Sequence, residues 1–99
     1  MQSRAAIRYA KAIFEIAIEE NTIDDIFHDM STIDSLSNDS SDFKNLLTNS
    51  QIKYQDKKNA ILSLIKNYSR LTVKLIDLLI NNKRIYIVND IANSFIQLY

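Results

Sequence analysis

The sequence predicts an all-α protein, a single bundle of six helices, and three observations lead to this prediction. The 99-residue chain contains no glycine and no proline, and hairpin turns and sheet connections depend heavily on glycine. Its apolar residues recur at the spacing of amphipathic helices rather than in strict alternation. Runs rich in asparagine and serine interrupt this spacing, as turns between helices would. A chain of this length is expected to form one domain.

Three helices are predicted in the first half of the chain, over residues 4–20, 23–36 and 42–48. Ser3 is expected to cap the first helix. Thr22 is expected to cap the second, with Asp25 three residues later in a capping-box arrangement. The polar run 37–41 is predicted to be a turn. The second helix has the clearest periodicity, with apolar residues at Ile23, Ile26, Phe27, Met30, Ile33 and Leu36.

Three more helices are predicted in the second half of the chain, over residues 53–67, 69–81 and 86–98. The run Asn49-Ser50-Gln51 separates the fourth helix from the third, and Asn82-Lys83-Arg84 separates the sixth from the fifth. The fourth helix presents apolar and aromatic residues at Tyr54, Ile61, Leu62, Ile65 and Tyr68.

The first helix carries more apolar surface than the single stripe that packing against a core requires. Its charged residues gather on one narrow stripe of the helix: Arg4, Arg8, Lys11, Glu15 and Glu19. The remaining apolar residues form two faces rather than one. The first face comprises Ala6, Ala10, Ile13, Phe14 and Ala17, and the second comprises Ala5, Tyr9, Ala12 and Ile16.

The fifth helix shows the same excess of apolar residues around a narrow polar edge formed by Lys74, Asp77 and Asn81. Its apolar residues cover one flank at Leu71, Leu75 and Leu78, and the rest at Thr72, Ile76, Leu79 and Ile80. Two interpretations stay open for both helices. Either they lie centrally and other helices cover them, or a groove between them receives a partner helix. Ala5 and Ala12 favour a groove, because small side chains let another helix approach closely.

The charges of the chain are balanced but unevenly distributed. Residues 1–50 contain four basic and nine acidic side chains, whereas residues 51–99 contain eight and three. One interpretation is that the two halves attract each other within the bundle. The alternative is a small helical nucleic-acid-binding domain that uses the basic second half, although such domains usually carry a net positive charge. Its basic residues would be Lys53, Lys57, Lys58, Lys66, Arg70, Lys83 and Arg84.

The residues that catalysis or metal binding would require are scarce. There is no cysteine, and His28 is the one histidine, so neither a thiolate site nor a histidine-rich metal site is expected. The absence of glycine argues against phosphate-binding and dinucleotide-binding loops. Glu15, Glu19 and Glu20 are interpreted as a solvated face rather than as acid–base carboxylates. We expect no catalytic residue, no metal and no cofactor, and therefore no enzyme.

Three segments in order along the chain carry a family resemblance. The first is Arg8-Tyr9-Ala10-Lys11-Ala12-Ile13-Phe14-Glu15-Ile16-Ala17, and the second is Leu46-Leu47 with Asn49-Ser50-Gln51-Ile52, Lys57 and Ile61. The third is Leu78-Leu79-Ile80-Asn81-Asn82-Lys83-Arg84 with Ile91, Phe95 and Leu98-Tyr99. Together they resemble the N-terminal domain of the delta subunits of bacterial F-type ATP synthases and of their mitochondrial counterpart, the oligomycin-sensitivity-conferring stalk subunit. Ser50 replaces the usual proline, and Lys83 stands where a glycine often precedes the arginine.

The resemblance implies a six-helix bundle that serves as a non-catalytic stator component in the peripheral stalk. It implies that a groove between helices 1 and 5 binds the N-terminal helix of an alpha subunit. On the matching positions, the groove residues would be Tyr9, Ala12, Ile13 and Ile16 of helix 1 with Leu71, Lys74, Leu75 and Leu78 of helix 5. The opposite flank of helix 5, at Val73, Ile76 and Ile80, is the alternative.

The resemblance also bears on domain organisation and location. Residues 1–99 are expected to be the N-terminal helical domain, with the C-terminal domain that binds the b subunits absent. The opening residues lack the apolar stretch of a signal peptide, and no run is long enough to span a membrane. The expected location is the cytoplasmic side of the bacterial inner membrane, as a peripheral part of the synthase without membrane insertion and without nucleic acid.

Overall fold

The computed structural model of the chain describes residues 3–99, so the first two residues of the predicted domain 1–99 lie outside the described part. The described residues form six α-helices and a short 3₁₀ helix with no strand, which confirms the predicted all-α bundle. The α-helices are α1 (Arg4–Glu19), α2 (Ile23–Asp39), α3 (Ser41–Thr48), α4 (Tyr54–Ile65), α5 (Arg70–Asn81) and α6 (Val88–Leu98), and the 3₁₀ helix (Ile85–Ile87) directly precedes α6.

The most enclosed helix is α6, which packs most extensively against α1 and α2. Its residues Val88, Ile91, Ala92 and Phe95 are fully buried. α1 meets the core with three fully buried alanines and one isoleucine, namely Ala6, Ala10, Ala17 and Ile13. Phe14 adds an edge-on contact with Phe95 at 5.5 Å between ring centroids, a favourable aromatic geometry. α6 therefore covers the core side of α1, while Ala12 and Ile16 of α1 and Lys74 and Leu78 of α5 remain exposed.

The boundary between α2 and α3 differs from the prediction. α2 continues to Asp39, and the predicted five-residue turn is reduced to Ser40. The hydroxyl of Ser37 donates to the carbonyl oxygen of Ile33 at 2.8 Å, so this serine bonds within the helix instead of ending it. The extended backbone of Ser40 lets its hydroxyl accept from the Phe43 N–H at 3.1 Å. One residue therefore ends one helix and caps the next.

The two caps predicted for the first two helices have different outcomes. Ser3 caps α1, and its hydroxyl accepts from the Ala6 N–H at 3.1 Å. Thr22 precedes α2, but its side chain makes no capping bond, so the predicted capping box is wrong. With ψ at 17°, its backbone lies outside the extended region that a capping side chain needs. Its hydroxyl oxygen is buried without a hydrogen-bond partner among residues 3–99.

Three helix ends within residues 3–99 use residues other than glycine at positive φ, and two of them, after α1 and α5, have the same geometry. Asn21 follows α1 with φ 56°, and Lys83 follows α5 with φ 58°. At each end two backbone bonds close a Schellman motif. The Arg84 N–H donates to the Leu79 carbonyl at 2.7 Å, and the Lys83 N–H donates to that of Ile80 at 3.0 Å. Lys83 thus adopts the conformation that glycine usually supplies at this position.

Within residues 3–99, no direct ion pair joins the opposite charges of the two halves. Among residues 3–99, the one pair of a lysine or arginine with a carboxylate within 4 Å is Lys58 with Asp77, at 3.1 Å, and both belong to the second half.

Across residues 3–99, none of the helices combines the length and the hydropathy that crossing a membrane requires.

Candidate functional site

The second apolar face of α1 remains open in the folded chain. Ile16 is 37% exposed and Ala12 is exposed, while Tyr9 and Ala5 are half-buried against the core. These four residues recur every three or four positions, so they form one stripe along the helix. Isoleucine is among the residues most often buried in proteins. This stripe is therefore an uncovered apolar surface rather than the solvated side of the helix.

α5 has a corresponding stripe. Leu78 is 46% exposed, Leu71 is half-buried, and the exposed Lys74 lies between them on the same side of the helix. The opposite side of α5 contributes Thr72, Ile76 and Leu79 to the interior. α5 thus packs on one side and leaves leucines open on the other.

Two depressions place each end of α1 near the opposite end of α5, although the two helices make little direct contact with each other. One, of about 270 Å³, is formed by Ala5, Arg8, Tyr9 and Ala12 of α1 together with Arg84, which follows the end of α5. The other, of about 240 Å³, lies between Glu20, which follows the end of α1, and the first turns of α5. The end of each helix therefore lies next to the beginning of the other.

The predicted groove residues that are exposed or half-buried are called the α1/α5 surface, which comprises Tyr9, Ala12, Ile16, Leu71, Lys74 and Leu78. The other two residues predicted for the groove belong to the interior. Ile13 is 8% exposed and Leu75 is 2% exposed, so they support the surface from beneath. On the alternative flank of α5, Ile76 is fully buried, whereas Val73 and Ile80 are half-buried, so the choice between the two flanks stays a prediction.

An aspartate from α2 holds the beginning of α5. Asp29 is 1% exposed, and its Oδ2 accepts from the Ser69 N–H at 2.8 Å and from the Thr72 hydroxyl at 2.6 Å. A carboxylate at a helix N-terminus also interacts favourably with the helix dipole. Asp29 was not identified from the sequence as a functional or structural residue. The signal that could have found it is an acid among the apolar positions of that helix, one residue before Met30.

The rim of the α1/α5 surface is predominantly basic. Arg8 and Arg84 lie at one end, and Arg70 and Lys74 lie with Glu20 at the other. Arg84 owes its position to the Schellman motif that ends α5. Four basic side chains with one acid favour a partner that carries acidic or polar groups along its edges.

Other candidate chemistry is not assembled in the part of the chain that the structure describes. His28 exposes 70% of its side chain on α2. No three acidic or histidine side chains converge as a metal site within residues 3–99. Of the lysines assigned to nucleic-acid binding, Lys57 is buried and donates to the Asn49 carbonyl, and Lys58 pairs with Asp77.

Comparison with known proteins agrees with this architecture. The family model for the ATP synthase delta (OSCP) subunit matches residues 5–99. The chain belongs to this family. It is 39% identical over 97 residues to the ATP synthase subunit delta of Flavobacterium psychrophilum, and 38% identical over 94 residues to that of Christiangramia forsetii. The chloroplastic delta subunit of Gracilaria tenuistipitata is 31% identical over 97 residues.

The matches cover nearly all of this chain but only part of each relative. The three alignments span 98%, 95% and 97% of the chain, and 55%, 51% and 52% of the respective relatives. The chain therefore spans about half the length of the delta subunits that it matches.

Proposed function

We propose that the chain is the alpha-binding domain of a delta subunit, a non-catalytic component of the peripheral stalk of an F-type ATP synthase. Its α1/α5 surface binds the N-terminal helix of an alpha subunit. The observation that carries the proposal is the pair of open apolar stripes on two helices whose opposite ends lie near each other, where Ile16 and Leu78 remain 37% and 46% exposed. Membership of the delta family supports the assignment to the synthase.

The shape of the surface suits a helix better than it suits an extended chain. A partner helix lying between α1 and α5 would bury both stripes at once, in the helix-in-groove mode of recognition. Ala12, near the middle of the α1 stripe, leaves room for a large side chain of the partner. Each fully buried leucine or isoleucine contributes about 1.5–3 kcal/mol before the costs of ordering. A few such anchors suffice for a stable complex.

This role requires stable binding to the alpha subunit and does not require catalytic residues. The stalk holds the catalytic hexamer against the torque of the rotor, so a tether must bind firmly and resist displacement. Residues 1–99 would provide the attachment to alpha, and a further domain would bind the b subunits. The domain would lie at the cytoplasmic face of the inner membrane as a peripheral part of the complex, without inserting into the bilayer.

The experiment is a calorimetric titration of the domain with a synthetic peptide covering roughly the first 20–25 residues of the cognate alpha subunit, the length of a helix that spans such a surface. One-to-one saturable binding is expected. Ile16→Asp and Leu78→Asp are expected to weaken it at least about 30-fold, since each places a charge in an apolar contact worth about 2 kcal/mol or more. Both positions are exposed, so the fold should tolerate them.

Matched controls separate this surface from general effects of added charge. Ile18 is 52% exposed on another side of α1, and Leu64 is 41% exposed on α4. Ile18→Asp and Leu64→Asp introduce the same charge at equally exposed apolar positions and should leave affinity within about twofold. Loss of binding in all four variants would contradict the assignment to α1 and α5. A folded wild type that does not bind the peptide would overturn the proposed function.

A further inference from the structure

A second and larger concavity lies away from the α1/α5 surface. It is a cleft of about 690 Å³ bounded by the end of α3, the beginning of α4, the end of α5 and the 3₁₀ helix. This volume is in the range of small-molecule sites. Its lining shares no residue with the α1/α5 surface, so it could be occupied while a partner helix is bound.

The walls of the cleft are apolar and its mouth is aromatic. Leu47, Ile52, Ile80 and Ile85 contribute aliphatic surface, while Tyr54 and Tyr86 remain 37% and 59% exposed beside it. Apolar walls with a few convergent polar groups are typical of sites for small organic molecules.

The ammonium group of Lys57 is the polar group of the cleft that would contribute most to binding an anion. It lines the cleft yet is only 7% exposed, and burial lowers the pKa of its ammonium. Its Nζ donates to the Asn49 carbonyl oxygen at 2.7 Å, and an ammonium has three N–H donors. No carboxylate lies within 4 Å of it among residues 3–99. A buried charge without a counter-ion is costly, so an anion that reached Lys57 would gain a strong charge-assisted bond.

The other charged residue that lines the cleft is also basic. Lys83 also lines the cleft, and no aspartate or glutamate does. Two lysines without a compensating acid make the cleft attractive to anions and unfavourable for cations. The walls simultaneously favour an apolar body over a small hydrated anion such as phosphate.

We propose that this cleft binds a small carboxylic acid with an apolar body, whose carboxylate pairs with Lys57 and Lys83 while its hydrocarbon part lies against Leu47, Ile80 and Tyr86. Binding here is separate from the attachment to alpha, so it goes beyond the function proposed above.

The competing explanation is that Lys57 is purely structural and only fixes the Asn49 carbonyl before α4. The two explanations predict different effects of the charge of the ligand and of replacing Lys83. A structural lysine needs no ligand and does not involve Lys83, whereas the proposed site needs both lysines and selects anions. The experiment therefore varies the ligand charge and Lys83 independently of Lys57.

The probe is octanoate, titrated below the concentration at which it forms micelles into uniformly ¹⁵N-labelled protein and followed by amide chemical shifts. Saturable shifts are expected at the ends of α3 and α5 and at the beginning of α4. Octylammonium and octanol, which keep the chain but change or remove the charge, should bind at least about tenfold more weakly, because the charged hydrogen bond is lost.

Matched variants test the two lysines. Lys83→Asn removes a charge at the cleft, and Lys66→Asn removes one elsewhere. Both lysines are exposed and end a helix at positive φ, 58° for Lys83 and 61° for Lys66. Lys83→Asn should weaken octanoate binding about three- to tenfold, and Lys66→Asn should leave it unchanged. Lys57→Met keeps the aliphatic stem and should abolish saturation. Because that variant also loses the bond to the Asn49 carbonyl, Tyr86→Ala at an exposed position provides a second test and should weaken binding several-fold.

Three results would overturn the proposal. The first is equal binding of octanoate, octanol and octylammonium, and the second is an equal loss for Lys83→Asn and Lys66→Asn. The third is the absence of saturable shifts at the cleft in the folded wild type. None of these would affect binding of the alpha peptide, so failure here is distinguishable from failure of the proposed stalk function.

Discussion

The carboxylate of Asp29 connects two helices that are distant in sequence. Its bonds reach Ser69 and Thr72, which are 40 and 43 residues further along the chain. They provide hydrogen-bond acceptors for the Ser69 N–H and the Thr72 hydroxyl at the beginning of α5. This helix contributes Leu71, Lys74 and Leu78 to the α1/α5 surface. A buried carboxylate therefore positions half of the candidate site without lying in it.

Replacing the charge of Asp29 is predicted to weaken both the fold and the site. Asp29→Asn keeps the shape but turns two charge-assisted bonds into neutral ones, and it should lower the free energy of unfolding by about 1–3 kcal/mol. Urea denaturation followed by circular dichroism measures this change. Because α5 would be held less firmly, affinity for the alpha peptide should fall as well.

The control for this substitution is Asp39→Asn, at the exposed last residue of the same helix. Surface substitutions of this kind change stability by no more than about 0.5 kcal/mol. If both variants lose the same stability, the bonds of Asp29 to Ser69 and Thr72 are not what stabilises α5.

Residue-scale predictions succeed where the partners are neighbours in sequence. The Ser3 cap was predictable because the hydroxyl and the Ala6 N–H are three residues apart. The Thr22 cap was not, because the Schellman motif that ends α1 bonds the Thr22 N–H to the Ala17 carbonyl at 2.8 Å and constrains the backbone of Thr22. The role of Asp29 was not predictable either, because its partners belong to another helix.

The two apolar faces of α1 have different roles at the scale of the helix. Ala6, Ala10 and Ala17 are fully buried on the core side, where α6 is the main neighbour of α1. Ala12 has the same side chain but lies exposed on the stripe next to α5. The same residue type therefore serves close packing on one face and leaves space on the other.

Replacing Ala10 with leucine is predicted to lower stability, whereas replacing Ala12 with leucine is predicted to weaken binding of the alpha peptide. Ala10→Leu inserts bulk into a filled interface and should lower the free energy of unfolding by about 1–3 kcal/mol or more. Ala12→Leu should change it by less than about 0.5 kcal/mol, because the position is exposed and leucine favours helices nearly as well as alanine. Ala12→Leu should nevertheless weaken binding of the alpha peptide, since the added bulk holds the partner helix away.

Thermal or urea unfolding and the calorimetric titration measure the two effects. An Ala10→Leu protein as stable as the Ala12→Leu protein would contradict the close packing of α1 in the core. An unchanged peptide affinity in Ala12→Leu would show that the partner does not approach the middle of the α1 stripe.

Helix-scale predictions from the sequence are reliable for existence and less so for ends and neighbours. All six helices were predicted, because the spacing of apolar residues follows from the helical repeat itself. The end of α2 was misplaced by three residues, since serine and asparagine favour turns by propensity but Ser37 bonded within the helix. The sequence did not indicate which helix is central, because amphipathicity does not reveal which helices become neighbours.

At the scale of the whole molecule, a neutral chain presents a local basic rim. The chain carries no net charge, yet Arg8, Arg70, Lys74 and Arg84 surround the ends of the α1/α5 surface. Meanwhile Lys57 and Lys58 are engaged within the fold. The basic second half is thus divided among several surfaces rather than gathered on one face.

This distribution predicts a modest dependence of binding on salt. The affinity for the alpha peptide should change by less than about tenfold between 50 and 200 mM salt, because apolar contacts supply most of the free energy and the rim charges are exposed and screened. Titrations at the two ionic strengths measure this ratio. A nucleic-acid complex with several phosphate contacts would lose about 10³-fold or more over the same range.

Duplex and single-stranded DNA of random sequence serve as controls at the lower salt. No saturable binding is expected, because the chain carries no net charge and two of the basic residues, Lys57 and Lys58, are engaged within the fold. Tight DNA binding that collapses with salt would favour the alternative of a nucleic-acid-binding domain.

By itself, the sequence determined the all-α class, the six helices and the excess of apolar surface on α1 and α5, because each follows from residue types and helical spacing within one segment. The family was also recognisable from it, through motifs such as Arg8-Tyr9-Ala10-Lys11. Only the tertiary structure decided which apolar residues are free. Ile13 and Ile16 are both isoleucines on α1, yet Ile13 is 8% exposed and Ile16 is 37% exposed. Burial depends on which neighbours arrive from distant parts of the chain, and α6, the last helix, covers one face of α1 and leaves the other open.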